Sequence, residues 1–272
     1  MIKNFLHRAS LHFLCNETVF FLIKFVKTLL IFENNIFLYF SSYECFIINH
    51  MKIKNIKVCA FDAYGTCFDV NSAAENVAPK IGENWLSFSN TWRTSQLEYT
   101  WLRSLMKKHV DFWKITEDSL DYAMTTHKID KSLRDELLNL YKTLNPYPEL
   151  KECLEKLKQK NIKTCILSNG TPDLLNHLVS NANVKNLFDE ILSIEQVKIY
   201  KPDPKVYEMT TKKFNCNPSE VCFMSANNWD IVGGGVFGYQ CVWVNRNNRV
   251  FDELGFHPKN TIKNLTELNN LV

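Results

Sequence analysis

Five short apolar runs separated by helical patterns constrain the fold of this 272-residue chain more than any other feature. The runs are Ile56 to Asp62, Ile162 to Leu167, Glu190 to Ile194, Val221 to Met224 and Gln240 to Val244. Between the later ones, Glu149–Asn161, Thr171–Ala182, Asp203–Phe214 and a glycine-weakened Ile231–Phe237 read as helices. Apolar strands that alternate with helices form a parallel sheet covered on both faces. The expected class is α/β, a Rossmann-like doubly wound parallel sheet. After the first strand the alternation stops, and residues 71–145 carry only helical signals. Ser87 to His109 places Trp92, Leu97, Trp101, Leu102 and Leu105 on an approximate helical stripe. Thr116–His127 and Lys131–Leu144 follow, and Pro146 and Pro148 end the block because neither continues a helix. The expected organisation is a core from 51–70 and 146–272, interrupted by a helical cap from 71–145.

The formal charge of +3 comes without a basic face or a Lys/Arg run, which excludes a nucleic-acid footprint. The nine Cys are never spaced as CxxC, and Cys59, Cys165, Cys222 and Cys241 sit inside the apolar runs as small hydrophobes. That usage fits a reducing, cytoplasmic setting. No His pairs with Cys or another His at metal-ligand spacing. Residues 1–50 stand apart, with nine of the nineteen Phe and neither Gly nor Pro. The apolar stretch Val19 to Phe32 is broken by Lys24 and Lys27 and falls short of the roughly 20 clean residues of a spanning helix. No small-residue cleavage site follows it. Met51 leads straight into the first strand and is the expected true start. The alternative is contact with a membrane surface through residues 1–50.

Polar clusters follow four of the strands. They are Asp62 with Thr66, Ser168-Asn169-Gly170, Lys201-Pro202-Asp203, and Ser225-Ala226-Asn227-Asn228-Trp229-Asp230. In a parallel sheet these strand ends share one edge, the edge where ligands bind. A carboxylate there, such as Asp62, is costly unless it is hydrogen-bonded or used. Asp62 is therefore the expected nucleophile. Each cluster alone has a plainer reading: Asp62, Ser168 and Asn169 as caps, Lys201 as a solvated loop residue, Tyr207 as a helix-face aromatic.

The order of these clusters resembles the haloacid dehalogenase superfamily and, within it, the cofactor-independent L-2-haloacid dehalogenases of type II. The matching phrases are Phe61-Asp62-Ala63-Tyr64-Gly65-Thr66, Gln96 to Leu105, Ile166 to Gly170, Lys201-Pro202-Asp203 with Val206-Tyr207, and Asn227 to Asp230. The resemblance runs from Met51 to the C-terminus. It implies hydrolytic dehalogenation of short L-2-haloalkanoic acids to D-2-hydroxy acids, with inversion, through an aspartyl ester, with no metal or other cofactor. It also assigns roles. Asp62 attacks and Thr66 orients it. Lys201 keeps Asp62 and Asp230 charged, and Tyr207 bonds into the same network. Asp230 directs water, helped by Ser225 and Asn227. Ser168 and the N–H groups of Ala63 and Tyr64 hold the substrate carboxylate, Arg93 and Asn169 receive the halide, and Leu97, Phe112 and Trp229 form an apolar wall. A homodimer joined through the helical block is implied as well.

Residue chemistry supports this subfamily over its relatives that act on phosphate esters. Those keep an acid two residues after the nucleophile, where this chain has Tyr64, and a halide leaves without needing a proton. They also bind Mg²⁺ through several carboxylates, and the fourth cluster offers only Asp230. A Mg²⁺-dependent phosphatase and a non-catalytic, membrane-tethered protein of the same fold are the competing readings. Gly233-Gly234-Gly235-Val236-Phe237-Gly238 spells GxGxxG but does not sit at a strand-to-helix turn, so helix–sheet packing is expected there rather than a nucleotide. Ala226 stands where a second Ser is common in the family, and Ala63 and Cys67 replace larger apolar residues.

Overall fold

The computed structural model describes residues 52–272. The extension 1–50 and the expected start at Met51 lie outside the described residues. Six strands form one parallel sheet: β1 (Val58–Phe61), β2 (Lys163–Ser168), β3 (Glu190–Ser193), β4 (Val221–Ser225), β5 (Gln240–Val244) and β6 (Asn260–Ile262), in the order β3-β2-β1-β4-β5-β6. β1 is central, with Phe61 level with Ile166 on one side and Met224 on the other. That register brings Asp62, Ser168 and Ser225 to the same edge. β6 was not expected, because Asn260-Thr261-Ile262 has no apolar run. As the outermost strand it needs only the backbone pairing of Val242 with Asn260 and Val244 with Ile262.

Between β1 and β2 the chain is helical: α1 (Ser72–Asn76), α2 (Ala78–Ile81), α3 (Trp85–Leu105), α4 (Phe112–His127) and α5 (Arg134–Tyr141). The expected helix at 131–144 is a 3-10 turn, Lys131–Leu133, followed by α5. α3 stops at Leu105, short of the expected His109. α4 begins at Phe112, where the Asp111 side chain accepts from the Lys114 N–H at 2.8 Å, and ends at Lys128 in the left-handed region. The two linkers of this insertion lie side by side. Asp69 N donates to Asn145 O at 2.8 Å, and Tyr147 N donates to Cys67 O at 2.9 Å.

The remaining helices are α6 (Leu150–Gln159), α7 (Pro172–Asn181), α8 (Pro204–Phe214) and α9 (Asn228–Phe237). α7 and α8 each start on a proline after a capping side chain, Thr171 and Asp203. α6 turns Leu150, Cys153, Leu154 and Leu157 inward, and each buried Leu contributes about 1.5–3 kcal/mol. α9 begins three residues before the expected Ile231, so Asp230 belongs to its first turn. The three glycines had weakened the helical pattern there. They serve close packing: a Cβ on Gly234 would lie 2.8 Å from the Phe223 ring. The core centres on β1, β2 and β4, where Phe61, Ile166, Leu167, Phe223 and Met224 are fully buried.

Candidate active site

The turn after β1 sets the position of Asp62. Gly65 has φ of 87°, a left-handed conformation that favours glycine, and its N–H donates to Phe68 O at 2.7 Å. The turn aims the Thr66 hydroxyl back at Asp62 Oδ2, 3.0 Å away. The same hydroxyl accepts from the Ala226 N–H at 2.8 Å, which ties the turn to the loop after β4. Asn227 Nδ2 donates to Asp62 Oδ2 at 2.9 Å, and the Ser225 hydroxyl approaches the same oxygen at 3.5 Å. Asn227 occupies the N-cap position of α9 without capping it, because its amide is turned to Asp62 instead.

Asp62 Oδ1 has a different environment. It faces Lys201 Nζ at 3.2 Å, and the same ammonium bonds Asp230 Oδ2 at 2.9 Å. Tyr207 Oη donates to Asp230 Oδ1 at 2.9 Å. Lys201 is 1% exposed and Asp230 is fully buried. Burial works against the charge on Lys201, but Asp230 and Asp62 outweigh it and hold the ammonium above its ordinary value. Burial pushes Asp230 up to about 6. Lys201 and Tyr207 oppose that shift, and the charge on Asp62 adds to it. Burial beside Asp230 likewise pushes the Tyr207 phenol well above its usual range, so it remains a donor.

The loop after β2 is next to this triad. Asn169 Oδ1 accepts from the Lys201 N–H at 3.1 Å, which leaves its amide NH₂ without a partner among the described residues. Ser168 is buried, and its hydroxyl accepts from Gly170 N at 3.1 Å. The N–H groups of Ala63 and Tyr64 also have no backbone acceptor among the described residues. Lys201 and Pro202 are joined by a cis peptide bond.

Arg93 reaches the site from α3. Its Nη2 lies 3.4 Å from Tyr64 O and its Nη1 donates to Gln96 Oε1 at 2.8 Å. Gln96 is fixed in turn by Thr116 at 2.7 Å and by Tyr141 at 3.0 Å. Arg93, Leu97, Asn227 and Trp229 line a cavity of about 300 Å³ beside Gly65, whereas Asp62, Ser168, Asn169, Lys201 and Asp230 are not part of its lining. Trp229 stands edge-on to Trp101, with ring centroids 5.4 Å apart. Phe112 is not among the residues lining this cavity. It packs against Tyr64, ring centroids 5.1 Å apart, and Tyr141 stacks on Tyr64 at 5.7 Å. The Tyr64 side chain therefore belongs to an aromatic cluster, and burial pushes its phenol well above the usual range.

Two positions escaped the sequence reading. Gln96 fixes Arg93; it opens one of the matching phrases but was given no role there. Arg246, two residues past β5, donates to Thr66 O at 2.8 Å. The rule that found the other clusters, polar residues directly after an apolar strand, would have found Asn245-Arg246 as well. Among the described residues, no group of three or more His, Cys, Asp or Glu side chains is disposed to hold a metal ion.

Residues 56–238 match the family of haloacid dehalogenase-like hydrolases. The chain is 40% identical over 219 residues to (S)-2-haloacid dehalogenase 4A of Burkholderia cepacia, which spans 79% of this chain and 94% of that protein. It is 40% identical over 220 residues to (S)-2-haloacid dehalogenase 1 of a Pseudomonas species (strain CBS-3), spanning 80% and 96%. Among solved structures, the L-2-haloacid dehalogenase from Xanthobacter autotrophicus with chloropropionic acid covalently bound superposes with a TM-score of 0.74. It is 32% identical, and the match covers 79% of this chain and 98% of that one.

Proposed function

The chain belongs to the haloacid dehalogenase-like hydrolases, and we propose that it is an (S)-2-haloacid dehalogenase, converting short L-2-haloalkanoic acids to D-2-hydroxy acids with inversion. The observation that carries this reading is the unequal setting of the two Asp62 oxygens. Oδ2 is engaged by Thr66, Asn227 and Ser225, whereas among the described residues Oδ1 meets only Lys201. Oδ1 is thus the oxygen with a lone pair to spare. It attacks C2 of the substrate, the carbon–halogen bond breaks, and halide departs with its electron pair towards Arg93 and Asn169, where its charge is met. Ser168 and the N–H groups of Ala63 and Tyr64 hold the substrate carboxylate, and Leu97, Trp229 and, through Tyr64, Phe112 keep water from this step.

The ester leaves Oδ2 as its carbonyl oxygen. Water then attacks that carbonyl carbon and gives its proton to Asp230. The three donors on Oδ2 meet the oxyanion that forms there. Collapse breaks the bond to Oδ1, the proton on Asp230 passes to the departing alkoxide, and the second proton of the water leaves the regenerated carboxyl for solvent, so that Asp62 returns as a carboxylate with an oxygen from water. No step requires an acid at position 64, and the burial of Tyr64 among aromatic rings agrees with that.

A homodimer is part of the same proposal, supported by Leu102, Leu105 and Met106, exposed together at the end of α3. A cytoplasmic location is supported by the free thiols, of which Cys59, Cys67, Cys153, Cys165, Cys222 and Cys241 are buried. Among the described residues no helix is long and apolar enough to cross a membrane. Single turnover of (S)-2-chloropropionate in ¹⁸O-water, followed by mass analysis of the peptide containing Asp62, tests the function. The expected result is chloride, D-lactate and label in Asp62. Label in lactate alone, or phosphate-ester hydrolysis without chloride release, would overturn it.

A further inference from the structure

Arg246 takes no part in the steps above, yet three contacts fix its side chain, which is 12% exposed. Nη1 donates to Glu149 Oε1 at 2.7 Å, and Nη2 donates to the backbone oxygen of Thr66 at 2.8 Å. The guanidinium carbon lies 3.5 Å from the centroid of the Tyr147 ring. These contacts join separate parts of the chain. Thr66 belongs to the turn that carries the nucleophile. Tyr147 and Glu149 belong to the segment by which the chain returns from its helical insertion. The two are already adjacent through the bond from Tyr147 N to Cys67 O.

The carbonyl that Arg246 grips belongs to the residue whose hydroxyl bonds Asp62 Oδ2 and the Ala226 N–H. We propose that Arg246 is a positioning residue for the nucleophile, locking the Gly65–Thr66 turn to the segment that leads back from the helical insertion. The inference rests on the reading of Asp62 as the attacking group. A planar fork can bond a carboxylate at one end and a carbonyl at the other while its face stacks on a ring; a lysine ammonium is a compact point charge with no planar face to stack. The role concerns aim rather than substrate affinity, because Arg246 acts through Thr66. A misplacement of about 1 Å can cost roughly 100-fold in rate.

The test measures ester formation by rapid quench at saturating (S)-2-chloropropionate, with the ester counted by intact mass so that rates refer to competent sites. In Arg246→Ala and Arg246→Lys the rate constant is expected to fall by about 10-fold or more, with the substrate concentration for half-saturation unchanged. Added guanidinium ion is expected to restore much of the rate in Arg246→Ala through the cavity that Arg246 lines, while methylammonium is not. Wild-type rates per competent site with only a lowered melting temperature would overturn the inference and leave Arg246 a purely structural clamp. Should the Arg246 variants not fold, Tyr147→Leu removes the stacking face alone. It is expected to slow ester formation at unchanged half-saturation, and an unchanged rate there overturns the inference equally. Absence of ester in the wild type sinks the functional reading itself; normal ester formation in wild type and variants alike sinks only the role of Arg246.

Discussion

Replacing Gly233 by Ala strains the bond between Tyr207 and Asp230 without changing the identity of either residue. Gly233 lies in α9, facing the Tyr207 ring. A Cβ there would run into the Tyr207 hydroxyl and lie 2.7 Å from Pro202 Cβ and 2.9 Å from Tyr207 Cζ. Neither neighbour is the loose end of a flexible side chain. Tyr207 is fully buried, edge-on to Phe223 and to Tyr239 with ring centroids 5.9 Å apart in both cases. The hydroxyl must therefore withdraw from Asp230 Oδ1. A hydrogen bond to a charged group is worth about 1.5–3 kcal/mol. At about 1.36 kcal/mol per factor of ten, that is roughly 10- to 150-fold in a step that needs ionised Asp230.

The sign of the pH effect follows from the same bond. Asp230 is pushed up to about 6 by burial, and Tyr207 is one of the groups that hold it down. Losing the donor raises Asp230 further, so the fraction ionised falls and the acidic limb of ester hydrolysis moves to higher pH. The loss is greatest at and below the pH of that limb and fades well above it. Stopped-flow halide release reads this directly: a burst equal to the enzyme concentration is expected, followed by a slow steady state. Tyr207→Phe should behave the same way. Gly235→Ala, whose Cβ would meet the Phe256 ring instead, should not show the burst. If Gly233→Ala keeps wild-type kinetics and pH profile while Tyr207→Phe loses both, the packing argument is wrong. If both variants are unchanged, Asp230 is not the group that directs water.

Two further substitutions probe the charges. Lys201→Met leaves Asp62 and Asp230 buried with no counter-charge between them. Asp230 is expected to hold a proton, ester formation to fall by about 100-fold or more, and stability to drop by about 3–5 kcal/mol, read by urea titration. Arg93→Gln should slow halide departure by roughly 100-fold and weaken product inhibition by chloride at unchanged melting temperature; undiminished inhibition would remove Arg93 from the halide site.

The parallel sheet was legible because its central strands must be apolar on both faces. The same logic hid β6, where a strand at the sheet edge carries Asn260 and Thr261 and still pairs. Four polar clusters were legible as residues that an apolar strand would not otherwise tolerate at its end. Arg246 followed the same rule after β5, but its partners, Thr66 and Glu149, lie 180 and 97 residues away in sequence, and no local pattern links them. Gln96 was hidden for a different reason. Helical periodicity ranks apolar residues and does not report a buried amide whose partners, Thr116 and Tyr141, come from other helices. The glycines of α9 announced close packing, but that Gly233 makes room for the Tyr207 hydroxyl is a tertiary fact.

Ester formation would also change the electrostatics of the groups that must then hydrolyse the ester. In the free enzyme one ammonium serves two carboxylates, and the charge on Asp62 raises Asp230. Alkylation of Oδ1 removes that charge. Asp230 is then relieved of a repelling neighbour and has Lys201 to itself, both of which favour its ionised form. On the proposed mechanism the order of the two steps follows from the triad, because the first step prepares Asp230 as base for the second. It follows that Asp230 titrates lower in the ester than in the free enzyme. The decay of accumulated ester, followed by intact mass against pH, should show its acidic limb below the value of about 6 that holds before alkylation. A limb at or above that value would mean that Asp62 and Asp230 do not share Lys201 as the geometry implies.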